Sequence, residues 1–468
     1  MKIQFCGAAR EVTGSAHLVT LDNGFKVLLD CGMYQGYSDD MKDFNSTWLF
    51  DPHDIDCLIL SHSHIDHIGR VPRLVKDGFE GNIHCTHATR SLCSIMLLDA
   101  ALIQERDAEF YNKHILPKKK KHEAPRVPLY TSEDVSEAMG RFVGYGYDRW
   151  FTIHPDVDVL FRDAGHILGS ASVTLRIREN GKTTMFGFSG DVGRPDRPIL
   201  RDPQPMPELD YLLCESTYGD QDHEQPPAEV DHFLRIIRHT CVEKRGKLII
   251  PAFSVGRTQE IVYLLDQLEN AGKLPHIPVY VDSPLAVNAT VVFGSHPECY
   301  DKQLNAYMLK DPNPFGFNDL TYIKETEDSK KLNDMHDPCI IISASGMINA
   351  GRVKHHVFNS IDDERNTILM VGYWSPDTPG GKLREGVTAL KLFGEFKPVK
   401  AEIEIMDSFS AHADRMELLS FVKNQRGSVK KMFLVHGTID RQEKFRDLLM
   451  ENGFRDVEIP VLGETFKI

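Results

Sequence analysis

Short, mostly apolar segments recur along the chain, and each is followed by a polar or charged side chain. Runs of this length that are rich in β-branched and aromatic residues are typical of buried strands. We therefore predict buried β-strands that carry functional groups at their carboxyl ends. The segments and the groups that follow them are 26–29 with Asp30, 57–60 with a histidine-rich stretch, 185–188 with Asp191, 211–214 with Glu215, and 432–435 with His436.

Helical periodicity appears between these strands, for example over 88–105 and 258–268. Strands that alternate with helices predict a layered α/β architecture, in which ligands bind at the carboxyl ends of the strands. A chain of 468 residues exceeds the usual size of a single hydrophobic core. We therefore expect two domains, or one domain with a large insertion.

Composition narrows the class of protein. The chain has no uninterrupted apolar run of about 18 residues, and residues 1–5 enter a strand pattern at once. We therefore expect neither a transmembrane helix nor a signal peptide. The nine cysteines include no C-x-x-C pair, and several lie in apolar runs. This pattern favours reduced core cysteines in a cytoplasmic protein.

The net charge of −14 argues against a general nucleic-acid-binding protein, because such proteins are usually basic. An enzyme with this charge that acts on nucleic acid would need a local positive cleft, and bound metal ions would supply part of that charge. No ladder of alternating aromatic and basic residues, of the kind that stacks single-stranded bases, is evident along the sequence.

The segment 61–69, Ser-His-Ser-His-Ile-Asp-His-Ile-Gly, holds four metal-binding side chains within six residues. Imidazole and carboxylate groups are ligands that zinc and neighbouring transition metals prefer. His62 and His64 are two residues apart in extended chain and can face the same side. Asp66 and His67 lie beyond the turn and can reach a second ion. The spacing predicts a binuclear metallohydrolase site.

Taken in order, the motifs resemble those of the metallo-β-lactamase fold and, after them, those of the β-CASP nucleases. The second family contains bacterial and archaeal RNA nucleases and the endonuclease subunit of the eukaryotic pre-mRNA 3′-end processing complex. The chain looks most similar to the stand-alone bacterial ribonucleases of that family. The residues that carry the resemblance are Asp30, the cluster from His62 to His67, His166 within 163–170, Asp191 within 189–191, Glu215 within 215–219, His412 within 408–414, and His436 within 435–437.

The resemblance implies an αββα metallo-β-lactamase sandwich with an inserted α/β β-CASP domain. The sandwich would comprise residues 1–216 and 401–468, and the insert would comprise 217–400. In this family the active site lies in the cleft between the two domains.

The resemblance also implies a ligand set for two metal ions. Asp30 would fix an imidazole or the bound water, although a capped turn after a strand is the alternative reading of that residue. Nitrogen and oxygen ligands without thiolate suit two Zn²⁺ ions best and leave Mn²⁺ open. The implied ligands are His62, His64 and His166 for one ion, Asp66, His67 and His436 for the other, and Asp191 as the bridge.

The expected reaction is hydrolysis of an RNA phosphodiester bond. A hydroxide shared by the two ions would attack phosphorus, which makes Asp66 and Asp191 part of the catalytic set. His412 would be the general acid for the leaving 3′-oxygen, and Glu215 would orient it. The products would be a 3′-hydroxyl and a 5′-phosphate. As a bare sequence feature, Glu215 reads equally well as a surface carboxylate at a strand end.

Four further residues are candidates for contact with RNA. Arg257 precedes a helix and could bind a phosphate, and Ser345 lies in a loop of small residues. Ser408 and Ser410 flank His412 and could bind the same strand. The alternatives are an intramolecular ion pair for Arg257 and ordinary turn or cap roles for the serines.

We expect single-stranded RNA as the substrate. A histidine at position 436 is typical of the RNA-directed members of the family, which favours RNA over DNA. We expect an endonuclease and leave a 5′-to-3′ exonuclease activity open. A DNA nuclease, a small-molecule hydrolase of the same fold and a non-catalytic scaffold remain as alternatives. A homo-oligomer and a protein partner are also left open.

Overall fold

The computed structural model describes residues 1–36, 41, 43–119, 123–223, 229–372, 377–406 and 411–468. The chain divides into two compact units, of which the first comprises Met1–Asp222 with His412–Ile468 and the second His223–Ala411. The first unit is thus discontinuous in sequence. The resemblance predicts the corresponding changes of domain at 216/217 and 400/401.

Strands and helices alternate along both units. The β-strands are β1 (Lys2–Phe5), β2 (His17–Thr20), β3 (Lys26–Leu29), β4 (Cys57–Ile59), β5 (Asn82–Thr86), β6 (Phe142–Tyr145), β7 (Phe151–His154), β8 (Val157–Asp163), β9 (Ala171–Glu179), β10 (Lys182–Phe188), β11 (Tyr211–Glu215), β12 (Lys247–Pro251), β13 (Val279–Asp282), β14 (Leu320–Ile323), β15 (Cys339–Ser343), β16 (Thr367–Val371), β17 (Ala389–Leu392), β18 (Glu395–Pro398), β19 (Glu402–Met406), β20 (Lys431–Val435), β21 (Val457–Glu458) and β22 (Thr465–Lys467). The α-helices are α1 (Ile65–Ile68), α2 (Val71–Lys76), α3 (His87–Phe110), α4 (Ser132–Met139), α5 (Glu229–Ile237), α6 (Arg257–Asn270), α7 (Pro284–Gly294), α8 (Lys302–Tyr307), α9 (Thr326–Asp334), α10 (Val353–Ser360), α11 (Pro379–Arg384), α12 (Arg415–Val422) and α13 (Ile439–Glu451).

The helices predicted over 88–105 and 258–268 are confirmed as α3 and α6, and every strand predicted before a polar group is present. Thr86 begins α3, because its side chain accepts a hydrogen bond from the backbone N–H of Thr89 and so satisfies one of the free N–H groups of the first turn.

The first unit contains two sheets that share one core. Their strand orders are β22-β1-β2-β3-β4-β5-β6 and β21-β20-β11-β10-β9-β8-β7. Ile3 and Val27 from the first sheet pack in one buried cluster with Val173 and Phe186 from the second. Burying each such side chain stabilises the fold by about 1.5–3 kcal/mol.

Helices cover the outer face of each sheet. Leu58 of β4 packs in one cluster with Leu97 of α3, and Leu212 of β11 packs in another with Leu418 of α12 and Phe445 of α13. The layers therefore run helix, sheet, sheet, helix. The predicted αββα sandwich is confirmed.

The second unit is built on a parallel sheet with the order β14-β13-β15-β12-β16-β19. The central strands β12, β15 and β16 are buried along their whole length, as expected when helices cover both sides of a parallel sheet. A separate hairpin, β17–β18, lies outside this sheet.

All nine cysteines are buried and free, as predicted for reduced core residues. Among the described residues, no helix has the length and apolar character needed to cross a membrane.

Candidate metal centre

The site lies where strands from both sheets of the first unit end. Strands β10, β11 and β20 are adjacent and parallel, and so are β3 and β4 of the other sheet. The carboxyl ends of parallel neighbours meet at one edge of a sheet. The residues at or just beyond those ends, which include Asp30, Asp191, Glu215 and His436, are therefore brought together.

Two of these residues have left-handed backbone conformations. Asp30 has a φ of +58° and His436 a φ of +54°, which is uncommon for residues other than glycine. Each turns the chain immediately after its strand. The backbone N–H of Asp30 donates to the carbonyl of Ile59 at 2.9 Å, and that of His436 to the carbonyl of Ala8 at 2.8 Å. These hydrogen bonds hold the turned conformation in place.

One group of donor atoms is formed by His62, His64, His166 and Asp191. Nδ1 of His64 lies 3.1 Å from Nε2 of His62 and 3.1 Å from Nε2 of His166. Oδ2 of Asp191 lies 3.4 Å from Nε2 of His62 and 3.6 Å from Nε2 of His166. Four ligands at the corners of a tetrahedron around zinc are roughly 3.3 Å apart. The spacing matches that of a metal site.

A second group is formed by Asp66, His67 and His436. Nε2 of His436 lies 3.1 Å from Nε2 of His67 and 3.4 Å from Oδ2 of Asp66. The other carboxylate oxygen of Asp191, Oδ1, lies 3.3 Å from Nε2 of His67 and 3.6 Å from Nε2 of His436. Asp191 thus presents one oxygen to each group.

The chemistry of the donor set fits metal cations. Oδ1 of Asp191 is buried and accepts no hydrogen bond from any described residue. Burial holds the pKa of His62 well below its ordinary value and lowers the pKa of His64 to about 4, so both rings keep free lone pairs. Burial also opposes charge on His67, yet Asp191, Asp30 and Asp66 together raise the pKa of that ring well above its ordinary value. The negative field that would hold a proton there also attracts a metal cation. The donor set therefore fits a metal-binding site.

Asp30 is linked by hydrogen bonds to one histidine in each group of ligands, on the side of each ring away from the centre. Its Oδ2 accepts hydrogen bonds from Nδ1 of His67 at 2.6 Å and from Oγ of Ser61 at 2.8 Å. Oγ of Ser61 in turn lies 3.0 Å from Nδ1 of His62. One carboxylate therefore orients His67 directly and His62 through a serine, which leaves both Nε2 atoms facing the centre. The role of Ser61 was not predicted from the sequence, although this residue directly precedes the first ligand.

Thr217 performs the same task for His436. Its Oγ1 lies 2.9 Å from Nδ1 of His436 and 3.2 Å from the carbonyl oxygen of the same residue. If the hydroxyl donates to the carbonyl, Nδ1–H of the ring donates to the hydroxyl oxygen, and Nε2 is left as the lone-pair atom. Thr217 was also missed, although it lies in the motif 215–219.

The loop that carries His166 is fixed by hydroxyl groups on the neighbouring helix. Thr86 and Thr89 both donate to the carbonyl of Gly169, at 2.7 and 2.8 Å. Gly169 has a φ of +83°, and a Cβ atom there would lie 2.5 Å from the backbone nitrogen of Thr89. Only glycine permits this approach. The backbone N–H of His166 donates to Oγ of Ser170 at 3.0 Å.

His412 lies beside the first group of ligands, with Nδ1 3.4 Å from Oε1 of Glu215 and 4.0 Å from Oδ2 of Asp191. Burial opposes charge on this ring, but the combined effect of Glu215, by charge and hydrogen bonding, and of Asp191 and Asp66 raises the pKa of His412 to about 9. Glu215 is itself held by the backbone N–H of Val192 at 2.5 Å. The alternative of an exposed surface carboxylate is wrong, because Glu215 is buried.

The structure does not test the contacts with RNA that the sequence predicted for four residues. Ser408 and Ser410 lie outside the described residues. Arg257 and Ser345 belong to the second unit. Arg257 forms an ion pair with Glu260 one helical turn later, and Oγ of Ser345 donates to Oδ1 of Asn349 at 2.6 Å. The predicted contacts of all four with RNA stay predictions.

Family models match three consecutive parts of the chain. Residues 9–212 match the metallo-beta-lactamase superfamily, 258–383 match the Beta-Casp domain, and 397–460 match the Zn-dependent metallo-hydrolase RNA specificity domain.

Named relatives match almost the whole chain. It is 34% identical to Ribonuclease TTHA0252 of Thermus thermophilus over 464 residues, which cover 99% of both chains. It is 29% identical to the Transcription termination factor FttA of Methanosarcina mazei, over 93% of this chain and 67% of that protein. A protein of unknown function from Enterococcus faecalis shares the fold, with a TM-score of 0.52 at 10% identity and 99% coverage of both chains. The chain belongs to the β-CASP family of metallo-β-lactamase-fold hydrolases.

Proposed function

We propose that this protein is a metal-dependent ribonuclease that hydrolyses phosphodiester bonds in single-stranded RNA and leaves a 3′-hydroxyl and a 5′-phosphate. The observation that carries the proposal is the position of Asp191, which presents one oxygen to each of two groups of metal ligands, with His412 and Glu215 beside it. The similarity to a relative named as a ribonuclease supports RNA as the substrate.

The proposed cofactor is a pair of Zn²⁺ ions. His62, His64 and His166 would hold one, Asp66, His67 and His436 the other, and Asp191 would bridge them. When bound, such ions lower the pKa of a water molecule so that it is a nucleophile at neutral pH, and they neutralise charge on the phosphate. The inserted domain is assigned to 217–400, which contains the region that matches the Beta-Casp model.

The protein's own part in the chemistry is to move a proton. Glu215 favours the imidazolium form of His412 and fixes the orientation of the ring through Nδ1. The other ring nitrogen, Nε2, is then the proton donor for the leaving 3′-oxygen. Asp30 and Thr217 keep the ligand imidazoles in the tautomer that leaves Nε2 without a proton.

The test is cleavage of one unstructured RNA and the matching DNA, each labelled separately at the 5′ and 3′ ends. We expect zinc-loaded protein to cut the RNA internally, and a chelator to abolish the cleavage. Mononucleotides released from the 5′ end would make the enzyme an exonuclease. Cleavage of DNA but not RNA, or of neither polymer, would contradict the proposal.

Replacement of His412 separates proton transfer from metal binding. We expect His412→Ala to keep its metal and to lose about 10²- to 10⁴-fold in the rate of RNA cleavage, which is the usual worth of a general acid. His276→Ala, at a fully exposed histidine, is the matched control and should cleave normally. A His412→Ala protein that lost both metal ions would contradict the assigned role.

A further inference from the structure

A surface of the second unit combines exposed aromatic rings with cationic side chains. Strands β17 and β18 form a hairpin whose two loop residues, Phe393 and Gly394, have φ values of +51° and +89°. Such two-residue turns strongly favour Asn-Gly, because both central residues need positive φ. A bulky aromatic residue in this conformation is an outlier, and outliers of this kind cluster at functional positions. The hairpin therefore carries an aromatic ring at its tip, although the backbone conformation there disfavours phenylalanine.

Two side chains of α10, of which one is a lysine, approach that ring. Phe393 is 48% exposed. Nζ of Lys354 in α10 lies 4.8 Å from the centre of the ring, and the His355 ring lies 4.5 Å from it. Because half of the Phe393 surface remains open to solvent, the ring can contact a further planar group while it keeps these neighbours.

A second aromatic ring repeats the arrangement on the outer face of the hairpin. Phe396 is 71% exposed, and Nζ of Lys391 lies 5.6 Å from the centre of its ring. Lys391 and Phe396 are direct cross-strand partners, so both side chains stand on the same face. The hairpin patch is defined by five residues, Lys354, His355, Lys391, Phe393 and Phe396.

The charge of the patch is opposite to that of the whole chain. Segment 387–400 carries three lysines and one glutamate, Glu395, whereas the chain has a net charge of −14. Two acidic side chains in the loop that follows α10 are paired with cations, since Asp362 lies 2.7 Å from Lys397 and Asp363 lies 2.7 Å from Arg365. The local excess of positive charge favours an anionic partner.

We propose that the hairpin patch binds single-stranded RNA by stacking bases on Phe393 and Phe396, with Lys354 and Lys391 beside the phosphates. Stacking on aromatic side chains combined with cationic contacts to the backbone is how proteins hold single strands without reading their sequence. The inference rests on the proposed function, because RNA is taken as the substrate.

The test is RNA affinity of the full-length, metal-loaded chain that also carries His412→Ala, so that the RNA is not degraded. Phe393→Asn with Phe396→Thr removes both rings while it suits the turn and the strand. We expect about ten- to a hundredfold weaker binding of a labelled 30-nucleotide unstructured RNA, because each base that stacks on an aromatic ring contributes to the binding free energy. Lys391→Gln should lower the salt dependence of log Kd by about 0.7. Leu309→Asn, at a residue of the same unit that is 89% exposed, is the control and should bind like the parent.

Two results would contradict the proposal that the hairpin patch binds single-stranded RNA. One is equal RNA affinity in the double variant and its parent. The other is an equal loss of affinity for duplex RNA, which has no free bases to stack. A different result would contradict the proposed function alone. If the wild-type protein cleaves no RNA while the double variant binds RNA more weakly, the patch is an RNA-binding surface but the protein is not a ribonuclease. Cleavage of RNA by the wild-type protein together with unchanged affinity in the double variant gives the reverse conclusion.

Discussion

Each unit of the protein contains a buried aspartate–histidine pair at the end of a strand, and the two pairs differ in what surrounds the histidine. Oδ2 of Asp30 lies 2.6 Å from Nδ1 of His67 in the first unit, and Oδ2 of Asp282 lies 2.6 Å from Nε2 of His356 in the second. All four side chains are almost completely buried. The second ring nitrogen of His356 faces an amide oxygen, Oδ1 of Asn333, at 3.0 Å. That of His67 faces other metal-binding atoms.

The difference lies in how the carboxylate charge is balanced. Arg352 lies 2.7 Å from Oδ1 of Asp282, so the second pair carries its own permanent cation. No lysine or arginine within the described part of the chain forms an ion pair with Asp30, Asp66 or Asp191. A buried charge must be compensated, and here the proposed metal ions would compensate it. An Asp–His pair alone therefore does not identify a metal centre.

Removing the bridging carboxylate should have the largest effect. Asp191→Ala deletes a ligand from both groups, so we expect loss of bound metal and a fall in RNA cleavage of roughly 10³-fold or more. This fall is larger than that expected when a single group that stabilises the transition state is removed. Elemental analysis of the purified protein measures the metal, and labelled RNA measures the cleavage. A variant that keeps its full metal content would contradict the bridge.

The corresponding change in the second unit should act on stability and not on metal. Asp282→Asn leaves Arg352 and His356 without their counter-ion, which we expect to lower the free energy of unfolding by about 3 kcal/mol. Denaturant titration of the protein measures this loss. Metal content should equal that of the wild type. If Asp282→Asn lost metal, the contrast between the two pairs would fail.

Asp30→Asn sharpens the comparison by removing charge without changing shape. Asparagine tolerates the positive φ of position 30 as well as aspartate does, so the backbone is unaffected. We expect metal affinity to fall about 10- to 100-fold, as is usual when a group that orients ligand imidazoles is altered. Competition with a chelator of known affinity measures the change. Unchanged affinity would mean that Asp30 only shapes the turn.

The candidate metal ligands could be proposed from the sequence because they occur in local motifs. The histidine spacing from His62 to His67 already implied ligands that face two directions, and the structure brings them together with His166, Asp191 and His436. The apolar segments before them predicted strands, since continuous buried runs leave little alternative.

The groups that orient the ligands could not be predicted in the same way. Thr217 and His436 are 219 positions apart and meet only because β11 pairs with β20 in the register that puts Glu215 beside Val435. The hairpin patch was missed for a similar reason, because Lys354 and Phe393 lie on different elements. Contacts of this kind depend on strand register and side-chain rotamers, which short motifs do not encode.

Thr217→Val should have the smallest effect, and it isolates one ligand. Valine keeps the shape of the side chain but removes the only described partner of Nδ1 of His436, so that ring can adopt the tautomer that blocks Nε2. We expect one metal ion to bind about tenfold more weakly, which is the smallest loss usual for groups that orient ligand imidazoles. The affinity for the other ion should not change. Stepwise metal titration resolves the two. Thr217→Ser restores the hydroxyl and should restore the affinity. If valine and serine behaved alike, His436 would be held by its backbone alone, and the parallel with the Asp30–His67 pair would not extend to the second ligand.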